Sequence, residues 1–345
     1  MVKKKILLLS DDLRMSSGVG TMSKEFVLGT VHHFDWVQVG GAIKHPDEGK
    51  VINMNDSIRQ ETNVKDASLT IYPISGYGSQ ELIRDILHRE NPDAILHYTD
   101  PRFWGWLYDM EHELRQNIPI FYYNIWDDWP APQYNENFYE SCDLIMNISK
   151  QTVSIVKEVA KNKPRTDWDC TYLPHGINEK FFYPIDKFGE EFKQVNTLRQ
   201  QLTNDNIEFI VFYNNRNIRR KLPGDVILAF KHFCDQLSKE EADKCCLLMH
   251  TQPRDENGTD LPVVANTLAD YKVYFSDKKL DTKQLNWLYN MADVTINMAS
   301  NEGFGLGTCE SLMAGTPIVV NVTGGLQDQC GFKLNDKFVT YKDYD

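Results

Sequence analysis

Long apolar runs are missing from this sequence of 345 residues. No stretch approaches the roughly 18–20 apolar residues of a membrane-spanning helix. The opening MVKKKILLLSDD is basic and then apolar, but its apolar part, Ile6 to Leu9, is shorter than the ~7 residues of a signal-peptide core. Two aspartates follow with no small-residue cleavage site. We interpret this segment as a buried first strand rather than a secretion signal.

Paired cysteines and clustered positive charge are scarce as well. The seven cysteines show no CxxC spacing, which predicts reduced, mostly buried thiols and a cytoplasmic location. The net charge of −12 argues against nucleic acid as a partner, since phosphate contacts need clustered Lys and Arg. The local basic cluster at 216–221 suits a small anionic ligand better.

Short apolar runs alternate with helix-length amphipathic segments along the whole chain. This alternation predicts an α/β fold with parallel sheets covered by helices, and the length suggests two domains of roughly 150 residues. A turn-rich stretch from Pro174 to Gly189 divides them. We expect a first doubly wound domain at 1–175, a linker at 176–205 and a second doubly wound domain at 206–345, with one helix of the first domain at Trp104–Gln116.

The second domain ends soon after its predicted last strand, Ile318–Asn321. A doubly wound domain usually adds at least one more helix and strand. We therefore expect a domain that is short at its C-terminus. Two interpretations stay open: the chain is a fragment, or a partner completes it.

The segment SNEGFGLGTCESLMAGTPIVVNVTGG, at 300–325, is the most informative part of the sequence. Its glycines leave backbone amides bare at a predicted helix start, where amides and the helix dipole favour an anion. Glu302 precedes the helix, and Glu310 lies on the order of 6 Å along the axis from Leu306. Each carboxylate can accept hydrogen bonds from a vicinal diol. The segment predicts a socket for a sugar joined by a diphosphate to a ribose.

A basic stretch, 214–221, follows the first predicted strand of the same domain. Arg216 offers a planar fork and Lys221 a point charge, and both suit a diphosphate. They could stabilise the charge that grows on a departing nucleoside diphosphate. We interpret Arg219 and Arg220 as a solvated basic loop.

Taken together, these segments resemble glycosyltransferase family 4, a group-1 type family of retaining enzymes with the GT-B fold. The E-x7-E motif is similar to Glu302 and Glu310, and the Arg-x4-Lys motif to Arg216 and Lys221. Further matches are Met313 to Pro317, the series Leu285, Tyr289, Ala292 and Asp293, and the linker motif 175–178. Leu222 departs from the family, which usually has Gly there.

This resemblance implies two Rossmann-like domains that face a cleft, a nucleotide-sugar donor, and no metal or other cofactor. It implies that Arg216, Lys221, Gly305 and Leu306 bind the donor diphosphate. Glu302, Gly303 and Phe304 would hold the transferred sugar, with Glu302 counted among the catalytic residues. Glu310 would hold the ribose, and the backbone near Val273–Ser276 would meet the base.

Two glycines, Gly18 and Gly20, precede the first predicted helix of the first domain, where the family has a Gly-rich loop. We expect their amides on the acceptor side or at the donor phosphates. Many family members carry a His near the end of the fifth strand, and this chain has none there. Asp127 is therefore our candidate for the catalytic proton acceptor, with His97 and Asp100 as alternatives.

Eight aromatic residues crowd the predicted strand ends of the first domain, which favours a carbohydrate acceptor because ring faces pack on sugars. Another hydroxyl acceptor stays open. They are Tyr98, Phe103, Trp104, Trp106, Tyr122, Tyr123, Trp126 and Trp129.

The sequence thus predicts a retaining, metal-independent enzyme that moves a hexose-type sugar from a nucleoside diphosphate to a hydroxyl. Two alternatives stay open. One is a GT-B nucleotide-sugar epimerase, and the other is a non-catalytic sugar- or nucleotide-binding scaffold. A peripheral membrane association also stays open.

Overall fold

A computed structural model describes residues 2–42, 44, 46–203, 206–268 and 270–339. The chain divides into two compact units, 1–175 and 176–345. Each unit is built around a parallel sheet with helices packed on it, which confirms the predicted α/β architecture. The unit boundary falls inside the turn-rich stretch 174–189.

Unit 1 contains an eight-stranded sheet among its described residues, in the order β3-β4-β2-β1-β5-β6-β7-β8. All neighbours pair in parallel except β3, which is antiparallel to β4. The central strand β1 is buried on both faces, as its apolar run predicts. The strands are β1 (Lys4–Asp11), β2 (Phe34–Gly41), β3 (Ile52–Asn53), β4 (Leu69–Pro73), β5 (Ala94–Tyr98), β6 (Ile120–Asn124), β7 (Leu144–Asn147) and β8 (Cys170–Tyr172).

The helices of unit 1 cover this sheet, and the longer ones begin at a serine. The hydroxyls of Ser17, Ser79 and Ser149 each accept a hydrogen bond from a first-turn amide, which satisfies one donor that a helix start leaves unpaired. The described helices are α1 (Gly18–Thr30), α2 (Asn55–Thr62), α3 (Gln80–Glu90), α4 (Gly105–Asp109), α5 (Glu111–Leu114), α6 (Glu136–Glu140) and α7 (Lys150–Val159).

One predicted helix of unit 1 is wrong as a continuous element. The segment Trp104–Gln116 begins at the end of a 3₁₀ turn, Pro101–Trp104, and continues as the two short helices α4 and α5. Trp104 and Met110 have non-helical backbone angles, with φ of −113° and −107°. Met110 therefore interrupts the predicted helix between α4 and α5, whereas Trp104 lies before α4.

Unit 2 contains a five-stranded parallel sheet in the order β11-β10-β9-β12-β13, and an antiparallel hairpin, β14-β15, follows it in the chain. The strand that comes first in the chain, β9, lies between β10 and β12, so the winding direction reverses between β9 and β12. Ligands of such sheets bind outside the carboxyl ends at this switch point. The strands are β9 (Phe209–Asn214), β10 (Cys245–His250), β11 (Lys272–Ser276), β12 (Val294–Asn297), β13 (Ile318–Val320), β14 (Phe332–Leu334) and β15 (Lys337–Val339).

The segment expected as a linker belongs to unit 2 and contains its first helix. Val195 of that helix is fully buried in a cluster that includes Phe212 and Leu288. Much of the segment is therefore packed structure rather than connecting chain. The described helices of unit 2 are α8 (Glu190–Leu202), α9 (Pro223–Cys234), α10 (Lys239–Ala242), α11 (Leu261–Leu268), α12 (Thr282–Met291), α13 (Leu306–Met313) and α14 (Leu326–Gln329).

Candidate functional site: the carboxyl edge of unit 2

The switch point of unit 2 is marked by two asparagines, one at the carboxyl end of each neighbouring strand. Asn214 ends β9 and Asn297 ends β12. Each asparagine is connected to one of the predicted glutamates by hydrogen bonds. Asn297 Nδ2 donates to Glu302 Oε1 at 3.0 Å, and Asn214 Nδ2 donates to the Tyr289 hydroxyl, which donates to Glu310 Oε2 at 2.7 Å. The sheet therefore brings both carboxylates to the edge where ligands bind.

Glu302 forms a buried ion pair with Lys221. The Lys221 Nζ lies 2.5 Å from Glu302 Oε1, and both side chains are less than 10% exposed. Lys221 is held in turn by a 3₁₀ turn, Arg219–Lys221, whose last carbonyl accepts a hydrogen bond from the Tyr213 hydroxyl at 3.3 Å. The sequence predicts separate roles for these residues, Lys221 at the diphosphate and Glu302 at the sugar, and the structure adds a direct contact between them.

Leu222, which stands where the family usually has Gly, has a φ of +49°. This left-handed conformation costs an L-residue with a bulky side chain roughly 1–2 kcal/mol, whereas Gly adopts it freely. Leu222 therefore adopts the left-handed conformation that a Gly at this position would favour.

The helix α13 begins on the bare turn 303–305. Gly305 occupies the position before the helix with a φ of +85°, and no side chain caps the first-turn amides. The helices α1, α3, α7 and α12 differ, because a Ser or Asp side chain caps each of them. An uncapped start leaves amide donors for an anionic ligand.

Gln329, on α14, holds this turn from behind. Its Nε2 donates to the carbonyl oxygens of Phe304 at 2.6 Å and Gly305 at 3.0 Å, while its Oε1 lies 3.2 Å from the Thr308 hydroxyl. Because the Phe304 and Gly305 carbonyls are directed towards Gln329, they do not compete with the amides of the turn for an anionic ligand. No sequence motif indicated this residue.

The turn also fits tightly against Gly324 and Gly325. The Gly325 amide donates to the Glu302 carbonyl at 3.0 Å. A Cβ on Gly324, whose φ is +46°, would lie 1.7 Å from that carbonyl oxygen. The glycine pair that ends the motif therefore allows the close approach that places Glu302.

Glu310 is poised to change charge near neutral pH. Burial raises its pKa from 4.5 to about 7, and the hydrogen bond from Tyr289 partly opposes that shift. The same burial and the charge of Glu310 raise the pKa of Tyr289, so its hydroxyl stays a donor. The Tyr289 hydroxyl thus orients the carboxylate predicted to hold a ribose.

Arg216 lies on the loop after β9 with its side chain 65% exposed, and Asp255 holds it. The Arg216 Nε donates to Asp255 Oδ2 at 3.1 Å. Asp255 is oriented by the Asn257 amide, which with Arg216 lowers its pKa. Sequence reasoning missed Asp255, because the segment 251–260 carries no recognised motif.

Of the two arginines interpreted as a solvated loop, Arg220 has a defined partner. It is exposed, and its Nη1 donates to the Asn301 carbonyl at 2.7 Å. The Ser300 amide donates to the Arg220 carbonyl at 2.9 Å. These bonds join the basic turn to the segment that carries Glu302.

The predicted base contact at Val273–Ser276 falls on β11. The Ser276 carbonyl already accepts the Thr251 amide at 3.2 Å, and its hydroxyl lies 3.1 Å from His250 Nδ1.

In unit 1 the predicted residues lie where the chain leaves the carboxyl ends of β1 and β6, with the glycines in the first turn of α1 and Asp127 on a loop. Gly18 begins α1 and is exposed, whereas the Gly20 amide donates to the Ser17 hydroxyl at 3.0 Å. That bond fixes the helix start and occupies the Gly20 amide. Asp127 is half-buried on the loop after β6, and its carbonyl accepts Gln151 Nε2 at 3.3 Å.

His97 is a core residue. It is fully buried, and its Nδ1 lies 2.6 Å from the Tyr108 hydroxyl. Burial lowers its pKa to about 3, so the ring is neutral. Of the eight crowding aromatics, Tyr98, Trp104, Tyr122 and Tyr123 are buried, while Phe103 and Trp129 are 52% and 42% exposed.

The described ranges hold neither a helix that could span a membrane nor a cluster of metal ligands. No helix there is both long and apolar enough to cross a bilayer. In the same ranges, no three His, Cys, Asp or Glu side chains gather in a way that could hold a metal ion.

Two Rossmann-like units and an uncapped helix start between paired carboxylates define a GT-B type protein, and comparison with known proteins agrees. Residues 194–335 match the sequence model of the family described as "Glycosyl transferases group 1". The resemblance drawn from the motifs is therefore confirmed over this part of the chain.

One curated relative is the alpha-monoglucosyldiacylglycerol synthase of Acholeplasma laidlawii, which is 29% identical over 201 residues. The match covers 55% of this chain and 44% of that relative, so the chain spans less than half of its length.

Solved structures match nearly the whole chain. One, of E. coli, is described as "Trehalose-6-phosphate … bound with UDP-2-fluoro glucose"; its TM-score is 0.67 at 13% identity, over 94% of this chain and 86% of that one. Another is the sucrose-phosphate synthase of Thermosynechococcus elongatus, with a TM-score of 0.68 at 17% identity, over 94% and 83%. At these identities the matches show the fold, and the predicted GT-B fold is confirmed.

Proposed function

We propose that this chain transfers a hexose-type sugar from a nucleoside-diphosphate sugar to an acceptor hydroxyl, with retention of configuration and without a metal. The observation that carries the proposal is the Lys221–Glu302 pair beside the uncapped start of α13. A buried cation next to bare amides suits a diphosphate, and the carboxylates suit hydroxyl groups. The relative's name and the UDP-2-fluoro glucose bound to the E. coli protein support this class of donor.

The roles of the donor residues follow from their contacts. The amides near Gly305 and Leu306, together with Lys221, would bind the diphosphate and stabilise the negative charge that grows as it leaves. Glu302 would accept hydroxyl hydrogen bonds from the sugar beside Gly303 and Phe304. Arg216 would reach the diphosphate with the guanidinium nitrogens that Asp255 does not use.

Glu310 would accept the ribose hydroxyls, because Tyr289 already orients its carboxylate. During transfer, the bond between the anomeric carbon and the diphosphate oxygen breaks, and a bond to the acceptor oxygen forms. The acceptor's proton passes to Asp127 or to the departing phosphate. Gly18 stays a candidate for the acceptor side or the phosphates. A peripheral membrane association, a partner that completes the C-terminus and a cytoplasmic location stay proposals.

Product analysis tests this function. The protein is incubated with UDP-, GDP- and ADP-glucose, with and without a mixed pool of sugar and lipid acceptors, in the presence of a chelator. We expect nucleoside diphosphate release that depends on acceptor, and a product whose anomeric configuration, read by NMR, matches the donor. Lys221→Ala should abolish release, whereas Lys231→Ala, at a partly exposed lysine of α9, should not.

Two results would overturn the proposal. A new sugar nucleotide formed from donor alone would identify an epimerase. Tight nucleotide binding without turnover of any donor would identify a binding scaffold.

A further inference from the structure

The sheet of unit 1 has its own switch point. Its order reverses between β1 and β5, which pair in parallel at the centre of the sheet. Asp11, the last residue of β1, and Asp100, on the loop after β5, lie at the edge where ligands of such sheets bind. This crevice belongs to unit 1 alone.

A pair of stacked rings lies on this edge. Tyr77 and Phe103 stack with centroids 4.7 Å apart and planes 8° apart. Tyr77 is fixed from behind, since its carbonyl accepts Trp106 Nε1 at 3.1 Å and its ring meets the Trp104 ring at 5.7 Å. Phe103 stays 52% exposed. Tyr77 and Phe103 thus form an aromatic surface, called the shelf below, whose Phe103 ring is open to solvent.

A second stack, of Arg102 on Trp126, is joined to the first because Arg102 and Phe103 are neighbours in the sequence. Arg102 precedes Phe103, and its guanidinium lies over the Trp126 ring, 5.2 Å from the centroid. Asp100 fixes that guanidinium with bonds of 3.0 Å to Nε and 2.5 Å to Nη2. The Tyr134 ring, itself 63% exposed, packs edge-on against Trp126 at 5.8 Å.

The shelf continues into a cavity. Tyr77 also lines a space of about 520 Å³ beyond the end of β4, within the ~300–1,000 Å³ typical of small-molecule sites. Its lining includes the apolar side chains of Ile74 and Leu82 and the charged side chains of Glu48, Lys50, Asp85 and Arg89. Glu48 is fixed there, because its carboxylate accepts the Ser75 hydroxyl at 2.6 Å.

We propose that this edge of unit 1 is a binding site for a neutral sugar, in which a sugar ring lies on the Tyr77–Phe103 shelf and its hydroxyls meet the Asp100–Arg102 pair. A sugar has one apolar face and a hydroxyl rim, so it needs an aromatic surface beside fixed polar groups. An alkyl chain would not need the polar groups, and Asp100 already pairs with the Arg102 guanidinium that an anion would need. The cavity leaves room for a second ring.

This inference rests on the proposed function in one respect: the bound sugar would be the acceptor, or part of it. Binding itself does not require transfer. The site can therefore be tested without donor.

Trp126 supplies the test, because a sugar on the neighbouring stack should change its fluorescence. Full-length protein is titrated with maltose, lactose, cellobiose and the methyl glycosides of glucose, galactose and mannose. We expect saturable binding of at least one sugar. Stacking contributes about 0.5–1.5 kcal/mol, so Phe103→Ala should weaken that binding roughly two- to tenfold. Phe103→Leu, which keeps bulk but not the ring, should weaken it similarly.

The matched control is Phe188→Ala, at a ring in unit 2 that is 99% exposed. It should bind the sugar like the wild type, and circular dichroism checks that all variants fold. No response to any sugar, or equal binding by Phe103→Ala, would overturn the proposal. So would Phe103-dependent binding to phosphatidylcholine vesicles with no response to sugars.

Calorimetry with UDP-, GDP- and ADP-glucose on the same variants separates the two proposals. Sugar binding without binding of any donor would contradict the proposed function but keep this site. Donor binding and turnover with no sugar binding at unit 1 would support the proposed function and contradict the sugar site.

Discussion

Lys221 and Glu302 form an ion pair of 2.5 Å although 80 residues separate them in the chain. The pair joins the basic turn after β9 to the acidic turn before α13, and both side chains are buried. If the two side chains moved apart, each would leave a buried charge without this partner. The pair therefore holds the two halves of the donor site together. A donor diphosphate would meet a cation that is already held in place.

A double-mutant cycle tests this coupling. Lys221→Met should destabilise the fold by about 3–5 kcal/mol, because it leaves the Glu302 charge buried and unpaired. Glu302→Gln alone should also destabilise it, and the double variant should recover much of the loss. Urea unfolding of the full chain measures the three free energies. Additive losses would contradict a direct interaction between the two side chains.

The raised pKa of Glu310 predicts a pH dependence. The folded state keeps the proton up to about pH 7, whereas the unfolded carboxyl loses it near 4.5. Stability should therefore fall as the pH rises from about 4.5 through 7. Glu310→Gln should remove this slope, as thermal unfolding over a pH series would show.

Donor affinity should change in the opposite direction. Because ribose hydroxyls donate to a carboxylate, binding should tighten as Glu310 ionises through about pH 7. Calorimetric titration of the preferred nucleotide at several pH values measures this. An equally steep profile in Glu310→Gln would show that another group titrates.

Gly324→Ala tests whether close packing places Glu302. The added Cβ would meet the Glu302 carbonyl oxygen at 1.7 Å, so the turn must move. We expect lower stability and at least tenfold weaker nucleotide binding. The control is Gly49→Ala, where φ is similarly positive at +82° but no atom lies within 4 Å. Equal effects of the two variants would attribute the loss to backbone strain alone.

Gln329→Ala tests whether α14 holds the turn at the start of α13. It removes one hydrogen-bond donor from the Phe304 and Gly305 carbonyls, at a cost of about 0.5–1.5 kcal/mol, while the Gly305 carbonyl keeps the Thr308 hydroxyl at 2.8 Å. Donor binding should weaken, and Gln236→Ala, on an exposed helix end, should leave it unchanged. Nucleotide titration of the two variants measures this, and unchanged binding in Gln329→Ala would show that the turn holds its shape alone.

The strands were predictable where an apolar run is bounded by polar residues. Such runs predict strands at Ala94–Tyr98, Ile120–Asn124 and Val294–Asn297, and the structure has strands with these same bounds. The helix α2 was missed because Ile58 is the one apolar residue in its sequence NDSIRQET. The helix α8 was assigned to the linker although Phe192, Val195, Leu198 and Leu202 recur at helical spacing and pack in one cluster.

The site was predictable only where residues act through a local motif. The motifs indicated Lys221 and Glu302, but their contact depends on the pairing of β9 with β12, which no local pattern encodes. Asp255 and Gln329 act through loops that only the fold brings to the site. The aromatic crowd was visible in the sequence, yet burial alone decided which rings stay exposed.

The central claim is that the turn 303–305, with Glu302 and Lys221 on one side and Glu310 on the other, binds a nucleotide-linked sugar. A thermal-shift screen of UDP-, GDP- and ADP-glucose on wild type and Glu310→Ala tests it most directly, since a ligand of the folded state raises its melting temperature. The account predicts that one donor raises the melting temperature of the wild type and much less that of Glu310→Ala. Equal responses of both proteins to every donor would contradict it.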